Sequence, residues 1–234
     1  MQIQNYILVT MALFLIATCK ASAEATFREI EFNVYGQYPV RNVTYLPINE
    51  AALKSGEEVP EPIEIKTHSL ARTGPYSYKG DSHLQFYDST NKNLVAQLTI
   101  PPETGRWLLI FVRNPRYKSQ SEQQLKYLVY PFDDSLSHLP SNGLIFLNIS
   151  GKELDGLLED KRVNLDAGES EIYRVQESLP INLWARSFDG KKLLPALIKT
   201  YKFAPNHRYL IIFFPPVLTG SADLDVRFLS ESVK

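Results

Sequence analysis

The run RWLLIFVRNP, Arg106 to Pro115, returns about a hundred residues later as RYLIIFFPPV, Arg208 to Val217. Each copy is a basic residue, an aromatic, an unbroken aliphatic-aromatic stretch and then proline. Successive side chains of a strand point to opposite faces, so a strand apolar at every position must bury both of them. Each copy therefore predicts a central strand, packed on the opposite sheet of its own domain on one side and on another element on the other. Proline cannot donate to a ladder and ends the pairing. The residues upstream also repeat: HLQFYDSTNKNLVAQLTI (83–100) sits against INLWARSFDGKKLLPALI (181–198). Both read as an alternating strand, a polar turn with Asp and Lys, and an aliphatic strand. Asp189-Gly190 strengthens the second hairpin. A period near 100 is too long for a solenoid or propeller blade and fits duplication of an immunoglobulin-sized sandwich.

The rest of the chain reads the same way. Short alternating runs such as Ile30–Val34, Val40–Leu46, Ile63–Ile65, Lys161–Leu165 and Leu224–Phe228 are broken by turn residues. The Tyr, Phe, Val, Ile and Thr content suits pleated, half-buried surfaces. Residues 49–62 read as a loop, and only Lys152–Glu159 has a helical cast, weakened by Gly156. The expected fold class is all-β: two tandem immunoglobulin-like antiparallel β-sandwich domains after a signal peptide. The expected boundaries are 1–23, 24–135 and 140–234.

The leader assignment rests on the uncharged apolar stretch Ile7–Ala17, too short to span a bilayer, followed by the small-residue cleavage site Ala21-Ser22-Ala23. Cys19 is the single cysteine and falls inside this leader, so cleavage after Ala23 removes disulfide and thiolate chemistry from the mature chain. The less favoured alternatives are an N-terminal membrane anchor that is never cleaved, and a lipid anchor at Cys19, where Thr18 stands in place of the usual Gly or Ala. Cleavage would leave 24 basic against 26 acidic residues, a net charge of −2. That balance gives no electrostatic reason to expect nucleic acid or a polybasic membrane patch, and no transmembrane span is expected in the mature chain.

The segment GLIFLNISGKELDGLLEDKRVNLDAGESEIYRV resembles secreted bacterial proteins of unassigned function built as tandem β-sandwich repeats. Asn148-Ile149-Ser150 and Gly168-Glu169-Ser170 stand where that pattern has a strand ending Asn-aliphatic-Ser/Thr and a Gly-Glu-Ser turn. The resemblance implies the fold and an export route, and it supplies no catalytic residues.

Few residue patterns suggest chemistry. His68, His83, His138 and His207 are widely spaced, with no HxH or HExxH arrangement. Asp88–Asn93 places oxygen ligands at alternate positions but lacks the glycine and distal glutamate of a calcium loop. Asp155, Glu159 and Asp160 form a second acidic group that reads as a solvated turn. Glu61 with Glu64 and Asp133 with Asp134 are the visible carboxylate pairs; adjacent residues of a strand face opposite ways, which argues against the second pair. No nucleophile elbow, P-loop or dinucleotide fingerprint occurs. No metal, cofactor or catalytic residue is therefore assigned. Trp107 and Trp184 read as core residues, with a sugar-stacking platform as the alternative. Tyr76, Tyr78 and Tyr87, with Tyr35 and Tyr38, read as exposed aromatics, and the segment Gly74–Gly80 reads as the loop that offers a partner surface, since rigid aromatics make good anchors.

These features lead to an exported, non-enzymatic binding or structural module of the cell envelope, periplasmic, surface-held or secreted, whose partner is a protein or a glycan. A two-sandwich export chaperone and a carbohydrate-binding or carbohydrate-active protein are the alternatives. A chaperone of that kind needs a basic pair in the cleft between domains. Arg106 and Arg208 do not suit that role if they occupy equivalent points of separate domains.

Overall fold

The computed structural model describes residues 27–49, 53, 58–102, 105–118, 124–187, 190–218, 221 and 223–233. The expected signal peptide and Cys19 lie outside the described residues. Seventeen strands are described and no helix. The first eight are β1 (Arg28–Gly36), β2 (Val43–Tyr45), β3 (Ile63–Ile65), β4 (Thr73–Gly80), β5 (His83–Asp88), β6 (Leu94–Thr99), β7 (Arg106–Arg113) and β8 (Tyr127–Asp133). Then come β9 (Gly143–Asn148), β10 (Leu154–Leu158), β11 (Lys161–Leu165), β12 (Gly168–Glu169), β13 (Tyr173–Arg174), β14 (Ser178–Arg186), β15 (Leu193–Lys202), β16 (His207–Phe214) and β17 (Asp225–Ser232).

The strands form four sheets. In the first half these are β4-β1-β7-β8 and β3-β2-β5-β6; in the second, β12-β9-β16-β17, with β13 also on β9, and β11-β10-β14-β15. Strand for strand the two halves share one order, and among the described strand pairs each half has one parallel pair, β1 with β7 and β9 with β16, the rest being antiparallel; an isolated parallel bridge, Ile48 with Lys79, adds to the first half. The match extends to an irregularity. The β5–β6 and β14–β15 hairpins each carry a bulge at one place: Val95 is the extra residue opposite Phe86/Tyr87, and Ala196 the extra residue opposite Leu183/Trp184.

The repeated runs are β7 and β16, and their alternation explains why every position is apolar. In β7, Trp107, Leu109 and Phe111 enter a core shared with Phe32, Tyr45, Leu84 and Phe86. In β16, Tyr209, Ile211 and Phe213 enter a second core with Phe146, Ile181 and Leu183. The intervening residues Leu108, Ile110 and Val112 of β7 and Leu210, Ile212 and Phe214 of β16 point the other way. They meet in a third core with Tyr35, Phe132, Leu139, Ile145 and Leu147. The sheets thus stack in four layers. The β4-β1-β7-β8 and β12-β9-β16-β17 sheets lie face to face in the middle, and the β3-β2-β5-β6 and β11-β10-β14-β15 sheets form the two outer layers. The element on the far side of each repeated run is the repeated run's own sheet from the other half.

Two local expectations change. Lys152–Glu159 contains strand β10, not a helix, because Gly156 lets β10 lie close on β14: a Cβ there would stand 2.0 Å from the Asn182 carbonyl oxygen. The segment 74–80 belongs to strand β4 rather than a loop, with Tyr78 opposite Ile30 and Tyr76 opposite Phe32.

Candidate functional site

The outward faces of the two outer sheets carry the candidate site. On β5, Leu84 and Phe86 point into the core, so His83, Gln85 and Tyr87 point out. Tyr87 is half-buried, and its hydroxyl donates to the Gln85 side-chain oxygen at 2.6 Å. With Leu46, Asn49 and Tyr78 these residues line an open cleft of about 260 Å³. The floor is fixed by short bonds. Asn49 donates to the Asp81 carboxylate at 3.1 Å, which also accepts the His83 backbone N–H at 2.6 Å, and the Tyr78 hydroxyl donates to the His83 carbonyl at 3.3 Å. Burial raises the Tyr78 phenol above its ordinary pKa of 10.0, so it is neutral at physiological pH. An aromatic ring beside planar amides in a shallow cleft can stack a ligand ring while hydrogen-bonding its edge.

The tyrosines expected to be exposed are split by the fold: Tyr38 is exposed, but Tyr35 is 1% exposed in the middle core, because it points from β1 toward the other half. Tyr87 and Tyr78 share the cleft, Tyr78 as its buried wall. Tyr76 is not among its lining residues: it stacks on Phe32 at 5.6 Å, and its hydroxyl accepts the Lys66 backbone N–H at 3.2 Å.

The second half repeats the arrangement. Ile181, Leu183 and Ala185 of β14 enter the core, so Asn182, Trp184 and Arg186 face outward. Trp107 is a core residue as expected; Trp184 is a half-buried residue of the outer face and belongs to no core cluster. The shared bulge fixes the equivalence one residue away from the alignment of 83–100 with 181–198: Tyr87, not Phe86, corresponds to Trp184, since Tyr87 pairs with Leu94 beside the bulge as Trp184 pairs with Pro195. Gln85 and Asn182 occupy the position two residues earlier on the same face. Around Trp184 stand Asp155, directly opposite on β10, its ion-pair partner Arg186 at 3.8 Å, and Asn164, which donates to Asp155 at 3.0 Å.

Where the two middle sheets meet, charge is buried. The Asp134 side chain is fully buried, with Arg72 and Arg208 nitrogens 3.2 and 3.1 Å from its Oδ1 and Arg106 Nε 3.9 Å from its Oδ2. Neither oxygen has a well-directed hydrogen-bond donor. Arg208, itself 2% exposed, donates Nε to Glu231 at 2.9 Å and Nη1 to the Asp134 carbonyl at 2.7 Å; Arg72 also pairs with Glu231. Arg106 reaches Glu231 at 3.4 Å, and the Asn33 side-chain amide faces its guanidinium, where turning the amide over lets the oxygen accept at 3.0 and 3.2 Å. Burial pushes the Asp134 carboxyl up, against the pull of Arg72 and Arg208. Burial also acts upward on Glu231, but the Arg208 hydrogen bond and the neighbouring guanidinium charges outweigh it and hold that carboxyl low. Arg106 and Arg208 are thus equivalent residues that nevertheless converge, because the halves pack face to face. Their charge is engaged by Asp134 and Glu231.

The remaining sequence candidates resolve into local structure. Asp88 spends its carboxylate on the backbone N–H groups of Thr90 and Asn91, which with the Thr90 bond first lower its pKa; the segment is the β5–β6 turn. Asp133 accepts from the Ser135 backbone N–H while Asp134 turns inward, so the adjacent carboxylates do not share a site. His138 meets Glu169 at 2.6 Å beside a mainly apolar cleft of about 450 Å³, lined by Tyr130, Pro131, Leu147 and Ile149. Among the described residues no three His, Cys, Asp or Glu side chains come together as metal ligands, and no helix is long and apolar enough to cross a membrane. No family model matches the chain, and no curated protein does.

Proposed function

We propose that this chain is an exported, non-enzymatic binding module of the cell envelope, built of two immunoglobulin-like sandwiches that arose by duplication. The observation that carries the binding assignment is the cleft around Tyr87, where the ring, the Gln85 amide and the His83 imidazole of β5 stand beside the Asn49 amide of the segment after β2. Export is supported by the apolar leader and its Ala21-Ser22-Ala23 site. Duplication is supported by the common strand order and the common bulge. The partner is a protein or a glycan of the envelope. A two-sandwich chaperone would need a free basic pair at the junction. Arg106 and Arg208 are near one another there but are committed to Asp134 and Glu231, which favours the binding module.

The test is fractionation followed by capture. The tagged full chain should leave the cytoplasm, and the purified mature chain should sediment with isolated envelopes, with Tyr87→Ala weakening retention ~tenfold. A chain that stays cytoplasmic, or envelopes that retain none of it, would sink the proposal.

A further inference from the structure

The geometry points to a cross-linker of neutral glycan: the Tyr87 and Trp184 faces are paired sugar platforms on opposite sides of the molecule, and each holds a separate glycan chain. The inference rests on the binding assignment above and names its ligand class. Three observations carry it. First, the two halves differ at most outward positions, yet both keep an aromatic with an amide two residues before it: Tyr87 with Gln85, Trp184 with Asn182. Core packing does not require this, since all four point away from the cores. Second, each aromatic stands beside groups that can hydrogen-bond in both directions. Around Tyr87 are Gln85, Asn49 and His83, with the Asp81 carboxylate on the floor of the cleft; around Trp184 are Asn182 and the Asp155–Arg186 ion pair at 3.8 Å. Flat apolar area beside such groups suits a sugar ring, whose C–H face stacks and whose rim of hydroxyls both donates and accepts, and the carboxylate at each site disfavours an anionic one. The cleft of about 260 Å³ is below the usual range for drug-sized ligands and fits a single ring of a longer chain.

Third, the four-layer stack fixes the relative placement. Both platforms lie on outer layers, separated by three sheet-to-sheet gaps of about 10 Å each. They face opposite ways, so one extended chain cannot lie on both. Two occupied platforms join two chains.

Affinity electrophoresis of the mature chain through gels containing soluble β-glucan, dextran or chitin oligosaccharides tests binding, and turbidity with the soluble polymer tests cross-linking. The expected result is retardation by at least one polymer, with turbidity at matched stoichiometry. Tyr87→Ala and Trp184→Ala should each still be retarded but give no turbidity, and the double variant should lose retardation ~tenfold or more. Gln85→Ala and Asn182→Ala, at solvent-facing positions, repeat the test if an aromatic variant melts early. Retardation unchanged in the double variant, or turbidity surviving in either single variant, overturns the inference. So does an absence of retardation by every polymer when envelope capture persists and is destroyed by protease treatment of the envelopes. That outcome assigns a protein partner and leaves the binding module standing, whereas loss of envelope capture itself removes both.

Discussion

Glu231 shows how one side chain ties the halves together. It sits on β17, accepts from Arg208 beside it, and pairs across the junction with Arg72 and Arg106 of the other half. Its folded pKa lies below the ordinary 4.5, so the folded state favours the ionised form and the resulting stability is present above that value. That contribution is lost as pH falls below it, when the unfolded chain binds the proton first. Urea unfolding should show wild-type stability falling more steeply below pH 4.5 than that of Glu231→Gln, and parallel slopes would refute the linkage. None of this pairing was legible in the sequence, because Arg72 and Glu231 lie 159 residues apart. Trp184 is different. In Ile181-Asn-Leu-Trp-Ala185 the aliphatic residues occupy odd positions, and strand parity alone puts Trp184 on the outer face. The composition of the run, read without its parity, suggests a core residue.

At the scale of the element, the strands from β5 onward were mostly legible, since their apolar runs are bounded by turn residues. β4 was not: Gly74-Pro75 and Gly80 have turn chemistry, while Tyr76 and Tyr78 are held as strand residues by Phe32 and Ile30 of β1. β10 was obscured by Gly156, whose reason is tertiary. Because its missing Cβ leaves room for the Asn182 carbonyl, Gly156→Ala should cost ~1–3 kcal/mol. Chemical denaturation measures this, and an unchanged midpoint would mean β10 and β14 separate freely.

At the scale of the whole molecule, a run apolar on both faces announced a second packing partner, but not that the partner was the same sheet of the other half. The middle core makes each half depend on its neighbour. Residues 24–135 expressed alone would expose Tyr35, Leu108, Ile110, Val112 and Phe132, all at most 2% exposed in the whole chain. This half should self-associate or bind a hydrophobic dye strongly, as size exclusion and dye fluorescence will report. A monodisperse, dye-silent monomer would show that the halves are independent.

The junction also has a mechanical polarity. The covalent connection, running past Asp134 and the buried Leu139, lies beside the arginine cluster at one end of the facing sheets. Beyond the apolar contacts, the other end carries Gln37, whose side-chain amide donates to the Pro215 carbonyl at 3.0 Å and to the Asp225 carboxylate at 3.4 Å. Tension applied to the two outer faces would therefore not load the whole interface at once. It would open the molecule like a book, with the Pro215 end parting first and the arginine cluster acting as the spine.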